Sequence, residues 1–125
     1  MINAQSECIC VEKLKKIIEN PSKLCAFFTS REIAYCNNYK DKYTRLAGTL
    51  AAKIAFIKAA SKLGLVAKKI EVRRKKSGKP FILTDNKILK DYSISVSISH
   101  TKSVAVAYCV ITKNGKVLST RKKKG

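Results

Sequence analysis

The sequence predicts an α+β domain in which one long helix packs on an antiparallel sheet. Two observations support this fold class. The first half of the chain has apolar residues at helical spacing, and the second half alternates apolar and polar residues over short segments. A length of 125 residues with 46% hydrophobic content suits one domain with its own core. We therefore expect a single domain over residues 1–120, followed by a basic tail over residues 121–125.

Start and stop signals define the elements of the first half. A short apolar run at Cys8–Val11 predicts a strand, and Glu12–Asn20 predicts a helix that Asn20 and Pro21 terminate. Thr29 and Glu32 form a capping box that opens the next helix. The longest helix begins at Asp41 or Thr44 and ends near Gly64. Its predicted apolar stripe is Leu46, Leu50, Ile54 and Ile57, beside Ala47, Ala51, Ala55 and Ala59. So many alanines predict close packing against another backbone or a sheet.

The second half reads as antiparallel strands joined by turns. The predicted strands are Lys69–Arg73, Pro80–Leu83, Ile94–Ile98, Val104–Ile111 and Lys116–Leu118. Turn residues at Ser77–Pro80 join the first two strands, and Asn114 and Gly115 precede the last. The order of a strand, then helices, then a run of strands is that of an α+β domain.

Positive charge is the unusual feature of the composition. The chain has 27 Lys and Arg residues against 8 Asp and Glu residues, for a net charge of +19. Such an excess favours binding to a polyanion, and two clusters predict phosphate contacts of the kind made with nucleic acid. The first cluster, in the first hairpin, is Lys68, Lys69, Arg73, Arg74, Lys75, Lys76 and Lys79. The second, near the C-terminus, is Lys113, Lys116, Arg121, Lys122, Lys123 and Lys124.

Several other classes of protein are disfavoured. The five cysteines include no CxxC pair and His100 is the single histidine, so a zinc site is not expected. An odd number of cysteines without a disulfide pattern fits an intracellular protein of the cytoplasm or an organelle matrix. No apolar run approaches the ~18 residues of a membrane span, and no secretory signal is present. We therefore expect no stable membrane insertion.

Four segments resemble the holo-acyl-carrier-protein synthase family of 4′-phosphopantetheinyl transferases. FTSREIAYC at Phe28–Cys36 is similar to the family's FTxxEIxYC, and LAGTLAAKIAFIKA at Leu46–Ala59 resembles LAGRFAAKEAxxKA. IEV at Ile70–Val72, leading to Gly78-Lys79-Pro80, resembles the IEI…GKP hairpin. VSISHTK at Val96–Lys102, continuing to Ile111, resembles the closing VSISHT…AxAxVVI hairpin. The segments have the family's order and spacing.

The resemblance implies a 4′-phosphopantetheinyl transferase-like fold and a specific reaction. Members transfer phosphopantetheine from coenzyme A to a serine of acyl carrier protein, need Mg²⁺, and usually form trimers with active sites between subunits. The family's metal ligands are an Asp of the first strand, in GxDIVEI, and the Glu of AAKEA. Matching positions that the resemblance assigns to residual coenzyme A binding are Lys53, Lys58, Ser97, Ser99, His100 and Thr101.

Three positions depart from the family pattern. The helix Glu is replaced by Ile54, the helix Arg by Thr49, and the first-strand Asp falls on Ile9 or on Cys10, depending on the register. Isoleucine cannot coordinate a hard cation, and loss of the metal would slow the reaction by orders of magnitude. These departures, with the basic clusters, lead to the hypothesis that the chain has lost catalysis and binds RNA in a ribonucleoprotein such as a ribosome, with no confident catalytic residue, metal or cofactor. The alternative is an active or residual holo-acyl-carrier-protein synthase that uses Mg²⁺ and coenzyme A and acts on acyl carrier protein.

Overall fold

The computed structural model describes residues 2–114 and confirms the α+β class. The predicted strand Lys116–Leu118 and the basic tail from Arg121 lie outside the described residues, so the expected domain limits stay a prediction. The elements in chain order are β1 (Ile2–Cys10), α1 (Val11–Ile18), α2 (Pro21–Phe27), α3 (Ser30–Asn37), α4 (Lys42–Lys62), β2 (Ile70–Arg74), β3 (Pro80–Thr84), α5 (Asn86–Asp91), β4 (Tyr92–His100) and β5 (Val104–Lys113).

β1, β5 and β4 form an antiparallel sheet in that order, so β1 and β4 are its two edges. The register places Glu7 of β1 opposite Ala107 of β5, and His100 of β4 opposite Ala105. β2 and β3 form a separate antiparallel hairpin. Its turn contains Gly78 at φ +92°, a conformation that glycine adopts without the steric cost of a Cβ atom.

Helix α4 lies against the sheet through small side chains, as its alanines predict. Of the predicted stripe, Leu46 is buried, whereas Ile57 is 49% exposed and Leu50 and Ile54 are only half-buried. Besides Leu46, the buried residues of α4 are one large aromatic residue and mostly small ones: Phe56, Thr44, Ala47, Gly48, Thr49, Ala51, Ala52, Ala55, Ala59 and Ala60. Short side chains allow the helix backbone to approach the sheet, so the inward side of α4 is alanine-rich and the longer aliphatic residues flank it.

Helix α4 approaches the sheet closely at Gly48. A Cβ atom added to Gly48 would lie 2.7 Å from Cγ2 of Ile98, which is closer than real Cβ contacts come. Glycine is therefore required here by the packing of α4 on β4, since the φ angle of Gly48 is not in the left-handed region. The LAG segment of the sequence thus serves helix–sheet contact.

The Asn20-Pro21 pair begins a helix as well as ending one. Helix α1 ends at Ile18, close to the predicted boundary, and α2 then starts with Pro21 in its first turn. The side chain of Asn20 accepts a hydrogen bond from the Ser22 backbone N–H at 2.9 Å and caps the new helix. Proline is tolerated at the first helical position because its missing N–H has no partner there in any helix. The prediction took Pro21 as a stop signal and missed α2.

The sheet face that points away from α4 has no covering layer among residues 2–114. Alternate residues of all three strands are on this face, and it includes Tyr108 at 57% exposure and Ile2 at 66% exposure. The outward residues of β4 on the same face are Ser93, Ser95, Ser97 and Ser99. A large tyrosine between small side chains is a feature of protein contact surfaces.

All five cysteines are free, and Cys36 and Cys109 are the buried ones. None of the helices of residues 2–114 has the length and apolar character that a bilayer crossing requires.

Candidate functional site

The first component of the site is an ion pair between α4 and β1. Strand alternation turns Glu7 towards α4, where its Oε1 accepts a hydrogen bond from Lys58 Nζ at 3.0 Å. The same ammonium donates to the backbone carbonyl of Ser6 at 2.7 Å. Both side chains are partly exposed, so a ligand can reach the pair from solvent. Glu7 is thus the carboxylate of β1 that contacts α4.

The two first-strand positions considered from the sequence, Ile9 and Cys10, lie apart from this ion pair. Cys10 is exposed and lies on the face that points away from α4, and Ile9 packs into the core between both groups of buried residues. Neither of the two predicted positions is the one that meets Lys58. Side chains alternate along a strand, so a shift of two residues keeps the face and changes the partner.

The residues present do not provide the pair of carboxylates that the resemblance implies for magnesium. Among residues 2–114, no three His, Cys, Asp or Glu side chains form a group that could hold a metal ion. Ile54 lies one helical turn before Lys58, half-buried, in a groove of about 430 Å³ that Phe27 and Leu50 also line. The carboxylate of Glu7 on β1 already binds Lys58. The donor set is therefore poorer than Mg²⁺ sites usually have.

Lys53, a predicted coenzyme A-binding residue, lies in a buried polar network. Its Nζ donates to Glu32 Oε1 at 2.9 Å and to the Phe27 carbonyl at 2.8 Å. Glu32 is 2% exposed, and its second oxygen accepts the Val72 backbone N–H at 2.7 Å. Glu32 also closes the capping box with the Thr29 backbone N–H at 2.8 Å. The network joins α3, α4 and β2, so Lys53 supports the site from inside the domain.

The network extends outward through Thr29 to Glu71. The Thr29 hydroxyl donates to Glu71 Oε2 at 2.7 Å, and Arg73 Nε donates to Glu71 Oε1 at 2.9 Å. The hydrogen bond from Thr29 lowers the pKa of Glu71, partial burial opposes this effect, and Arg73 adds to the lowering. Glu71 thereby fixes the base of the basic hairpin to the start of α3.

The predicted residues of the closing hairpin are at the other edge of the sheet. Ser97, Ser99, His100 and Thr101 are exposed, at or just beyond the end of β4. The Thr101 hydroxyl accepts the backbone N–H of Val104 at 3.2 Å and shapes the turn into β5. β5 separates them from β1, so they are at least two strand spacings, about 10 Å, from the pair of Lys58 and Glu7. One chain alone does not bring these two groups of residues together.

A cleft with basic and aromatic walls lies between α3 and the β2–β3 hairpin. We call it the Arg–Tyr cleft; its volume is about 390 Å³, and the residues that line it are Arg31, Tyr35, Tyr39, Val72, Arg73, Arg74, Lys75, Lys76 and Gly78. The two tyrosine rings are 5.2 Å apart, and the Arg74 guanidinium lies 5.1 Å from the ring of Tyr35. Partial burial raises the pKa of Tyr35, so its hydroxyl stays a hydrogen-bond donor at neutral pH.

Sequence reasoning found only one wall of this cleft. The hairpin residues Arg73, Arg74, Lys75 and Lys76 were predicted to bind phosphate, but Arg31, Tyr35 and Tyr39 were missed. Their spacing of four residues places successive side chains on one face of a helix. Tyr39 is two residues beyond the end of α3, and the Arg45 guanidinium lies 3.6 Å from the centre of its ring. The spacing alone could have identified this second wall.

The fold is that of a 4′-phosphopantetheinyl transferase-like protein. No protein-family model matches the chain. A holo-[acyl-carrier-protein] synthase of Clostridium botulinum is 38% identical over 109 residues, 81% of this chain and 89% of the relative. One from Thermodesulfovibrio yellowstonii is 40% identical over 107 residues, 83% of this chain and 92% of the relative. The chain belongs to the holo-acyl-carrier-protein synthase family.

Solved structures agree with this assignment. A Bacillus anthracis holo-(acyl-carrier-protein) synthase in complex with coenzyme A (3′,5′-ADP) matches with a TM-score of 0.72 and 27% identity, over 90% of this chain and 96% of that one. The Helicobacter pylori synthase in complex with coenzyme A matches with a TM-score of 0.73 and 25% identity, over 90% of this chain and 100% of that one.

These findings overturn the hypothesis of a non-catalytic RNA-binding protein. The relatives named above are synthases, their identity extends over most of the chain, and nothing in the comparisons points to RNA or a ribonucleoprotein. An RNA or ribonucleoprotein partner for the basic hairpin therefore has no support, and neither has the prediction that no cofactor is involved. The hypothesis took the departures at the metal positions, together with the basic clusters, as signs of lost catalysis. The basic residues Lys116, Arg121, Lys122, Lys123 and Lys124 lie outside the described residues.

Proposed function

We propose that this chain is a 4′-phosphopantetheinyl transferase that moves the phosphopantetheine of coenzyme A onto a serine of acyl carrier protein. The strongest support is the sequence identity of the chain to two relatives that are named holo-[acyl-carrier-protein] synthases. This identity is 38–40% over 81–83% of the chain. In this reaction the serine oxygen bonds to the phosphorus that bears the pantetheine. The bond from that phosphorus to the bridging oxygen breaks, 3′,5′-ADP leaves, and the serine proton is released. Such transfers depend on positioning and on stabilisation of phosphate charge.

The Arg–Tyr cleft is the part of the chain best suited to the nucleotide of coenzyme A. That nucleotide carries an adenine ring and several phosphate oxygens. Arg31 and Arg74 can pair with phosphate in bidentate fashion, and the rings of Tyr35 and Tyr39 offer stacking surfaces. The basic hairpin therefore has an anionic partner that requires no nucleic acid.

The second group of residues belongs to the site through a second copy of the chain. Lys58 and Glu7 lie over one edge strand, and Ser97, Ser99, His100 and Thr101 end the other. In a cyclic oligomer, one edge of each copy can meet the opposite edge of its neighbour, which joins the two groups. The uncovered sheet face around Tyr108 offers a contact surface. The trimer implied by the resemblance satisfies this requirement.

Acyl carrier protein is the proposed protein partner. Its acidic helix matches a chain whose net charge is +19, and opposite charges of this kind accelerate encounter and weaken with added salt.

A transfer assay tests the proposed activity. The full chain is incubated with coenzyme A, Mg²⁺ and apo-acyl carrier protein, and the carrier is examined by mass spectrometry for the added phosphopantetheine. We expect modified carrier, and Arg74→Gln should raise the KM for coenzyme A by about tenfold, the loss of one charge-assisted hydrogen bond. Lys87→Gln, an exposed lysine outside the cleft, is the matched control. Unmodified carrier at high enzyme concentration would refute the proposal.

Sedimentation velocity tests the oligomer. Tyr108→Lys should dissociate it, whereas Leu89→Lys, an exposed apolar residue of α5 away from the sheet face, should not. A monomeric parent chain would contradict a shared site.

A further inference from the structure

We propose that Lys58, held on β1 by Glu7 and Ser6, neutralises the carboxylate of this site and donates a hydrogen bond to the diphosphate, so that this chain binds coenzyme A without magnesium. The inference depends on the proposed function and concerns how the same site meets the diphosphate of its substrate.

The ammonium of Lys58 is positioned before any ligand arrives. Two acceptors fix it, the carbonyl of Ser6 at 2.7 Å and Oε1 of Glu7 at 3.0 Å. An ammonium group has three N–H donors, so one donor remains for a phosphate oxygen. The Lys58 side chain is 44% exposed, which leaves that donor accessible from solvent. A fixed cation costs little reorganisation when an anion binds.

The charge balance at this site differs from that of a site with two carboxylates. Two carboxylates beside one lysine leave an uncompensated negative charge, which repels a diphosphate until a divalent cation neutralises it. Here Ile54 occupies the helix position, so Glu7 and Lys58 cancel each other. An incoming diphosphate meets no excess of negative charge. The substitution that removes a metal ligand therefore also removes the need for the metal in binding.

Ile54 itself belongs to an apolar wall. It lines a groove with Phe27, Leu50 and Ile57, and two lysines, Lys53 and Lys68, are at the border of this groove. An aliphatic side chain offers no oxygen to a hard cation. The groove thus contributes apolar surface, which favours a pantetheine chain, and Lys68 adds positive charge, which favours phosphates.

Calorimetric titration of coenzyme A into the full chain measures the metal dependence directly. We expect dissociation constants in Mg²⁺ and in EDTA that agree within about threefold. Ile54→Glu restores the second carboxylate, and its affinity should differ by tenfold or more between the two buffers. Ile54→Gln has the same size without the charge and should remain independent of Mg²⁺. Electron paramagnetic resonance with Mn²⁺ gives a separate readout, with bound ion expected only for Ile54→Glu.

The role of Lys58 is tested with a variant that retains its apolar stem. Lys58→Met should weaken coenzyme A binding by about tenfold or more in both buffers, since a charge-assisted hydrogen bond is lost. Lys90→Met, at an exposed helical lysine outside the site, should bind like the parent chain. Circular dichroism and thermal melts verify that each variant is folded.

The outcomes separate this inference from the proposed function. Coenzyme A binding by the parent chain that weakens tenfold or more in EDTA overturns the inference and leaves the transferase proposal intact. An unchanged affinity of Lys58→Met for coenzyme A likewise overturns the inference and leaves the transferase proposal intact. Absence of coenzyme A binding in every buffer overturns both proposals.

Discussion

The buried carboxylate of Glu32 provides the sharpest test of how this domain is held together. Glu32→Ala removes the acceptor of three hydrogen bonds, from Lys53 Nζ at 2.9 Å, Thr29 N at 2.8 Å and Val72 N at 2.7 Å. It also leaves the ammonium of Lys53, whose side chain is only 13% exposed, without a counter-ion. Loss of one partner of a buried ion pair costs about 3–5 kcal/mol.

Urea unfolding measures this cost. With a slope of about 1.5 kcal/mol/M, a loss of 3 kcal/mol lowers the unfolding midpoint by about 2 M. Glu19→Ala, at an exposed glutamate, should change the free energy of unfolding by no more than about 0.5 kcal/mol. A loss below about 1 kcal/mol for Glu32→Ala would mean that the network contributes little.

A double-mutant cycle with Lys53→Met isolates the ion pair. Once Glu32 is absent, removing the buried ammonium relieves an uncompensated charge, so the double variant should be more stable than the sum of the single losses predicts. The coupling energy should reach about 1–3 kcal/mol. Simple additivity would refute the assignment of Lys53 to the buried network.

Three further predictions concern packing, thiol reactivity and pH. Gly48→Ala should lower the free energy of unfolding, because overpacking against Ile98 costs about 1–3 kcal/mol and exceeds the ~1 kcal/mol gain in helix propensity. In an Ile98→Ala background the same change should be neutral or stabilising. A single variant that is more stable than the parent chain would contradict the close approach of α4 to Ile98. Burial raises the pKa of the Cys109 thiol to about 12. In thiol labelling followed by peptide mass spectrometry, the exposed Cys25 should therefore be modified quickly and Cys109 only after unfolding. Rapid labelling of Cys109 in the folded chain would disprove its burial. The pKa of Glu71 is lowered in the folded chain, so the ionised carboxylate stabilises the fold at neutral pH, and this stabilisation is lost as the pH falls through the lowered pKa. The unfolding midpoint of Glu71→Gln should therefore depend less on acid pH than that of the parent chain. An equal pH dependence of the two chains would contradict the lowered pKa.

Local sequence patterns predicted much of the fold correctly. The capping box of Thr29 and Glu32, the hairpin turn at Gly78 and the alternating strands depend on residues that are near one another in the chain. The family resemblance was also readable, since its motifs are contiguous segments. The helix predictions failed where a residue type is compatible with more than one structural role. Pro21 ends one helix pattern and begins a second helix, and Leu50, Ile54 and Ile57 flank an alanine-rich buried face of α4.

Only the tertiary structure decided how the motifs combine. Glu7 and Lys58 are 51 residues apart, and Glu32 and Val72 are 40 apart, so no local pattern relates them. The position of Glu7 depends on the pairing of β1 with β5, which determines the side chains of the first strand that face α4. Comparison of the motifs therefore found both metal-ligand carboxylates replaced, whereas in the folded chain the carboxylate of Glu7 contacts Lys58. The sequence by itself determined the family and the excess of positive charge. The long-range packing of α4 on the sheet determined which charges meet, because contact between distant residues depends on the complete fold.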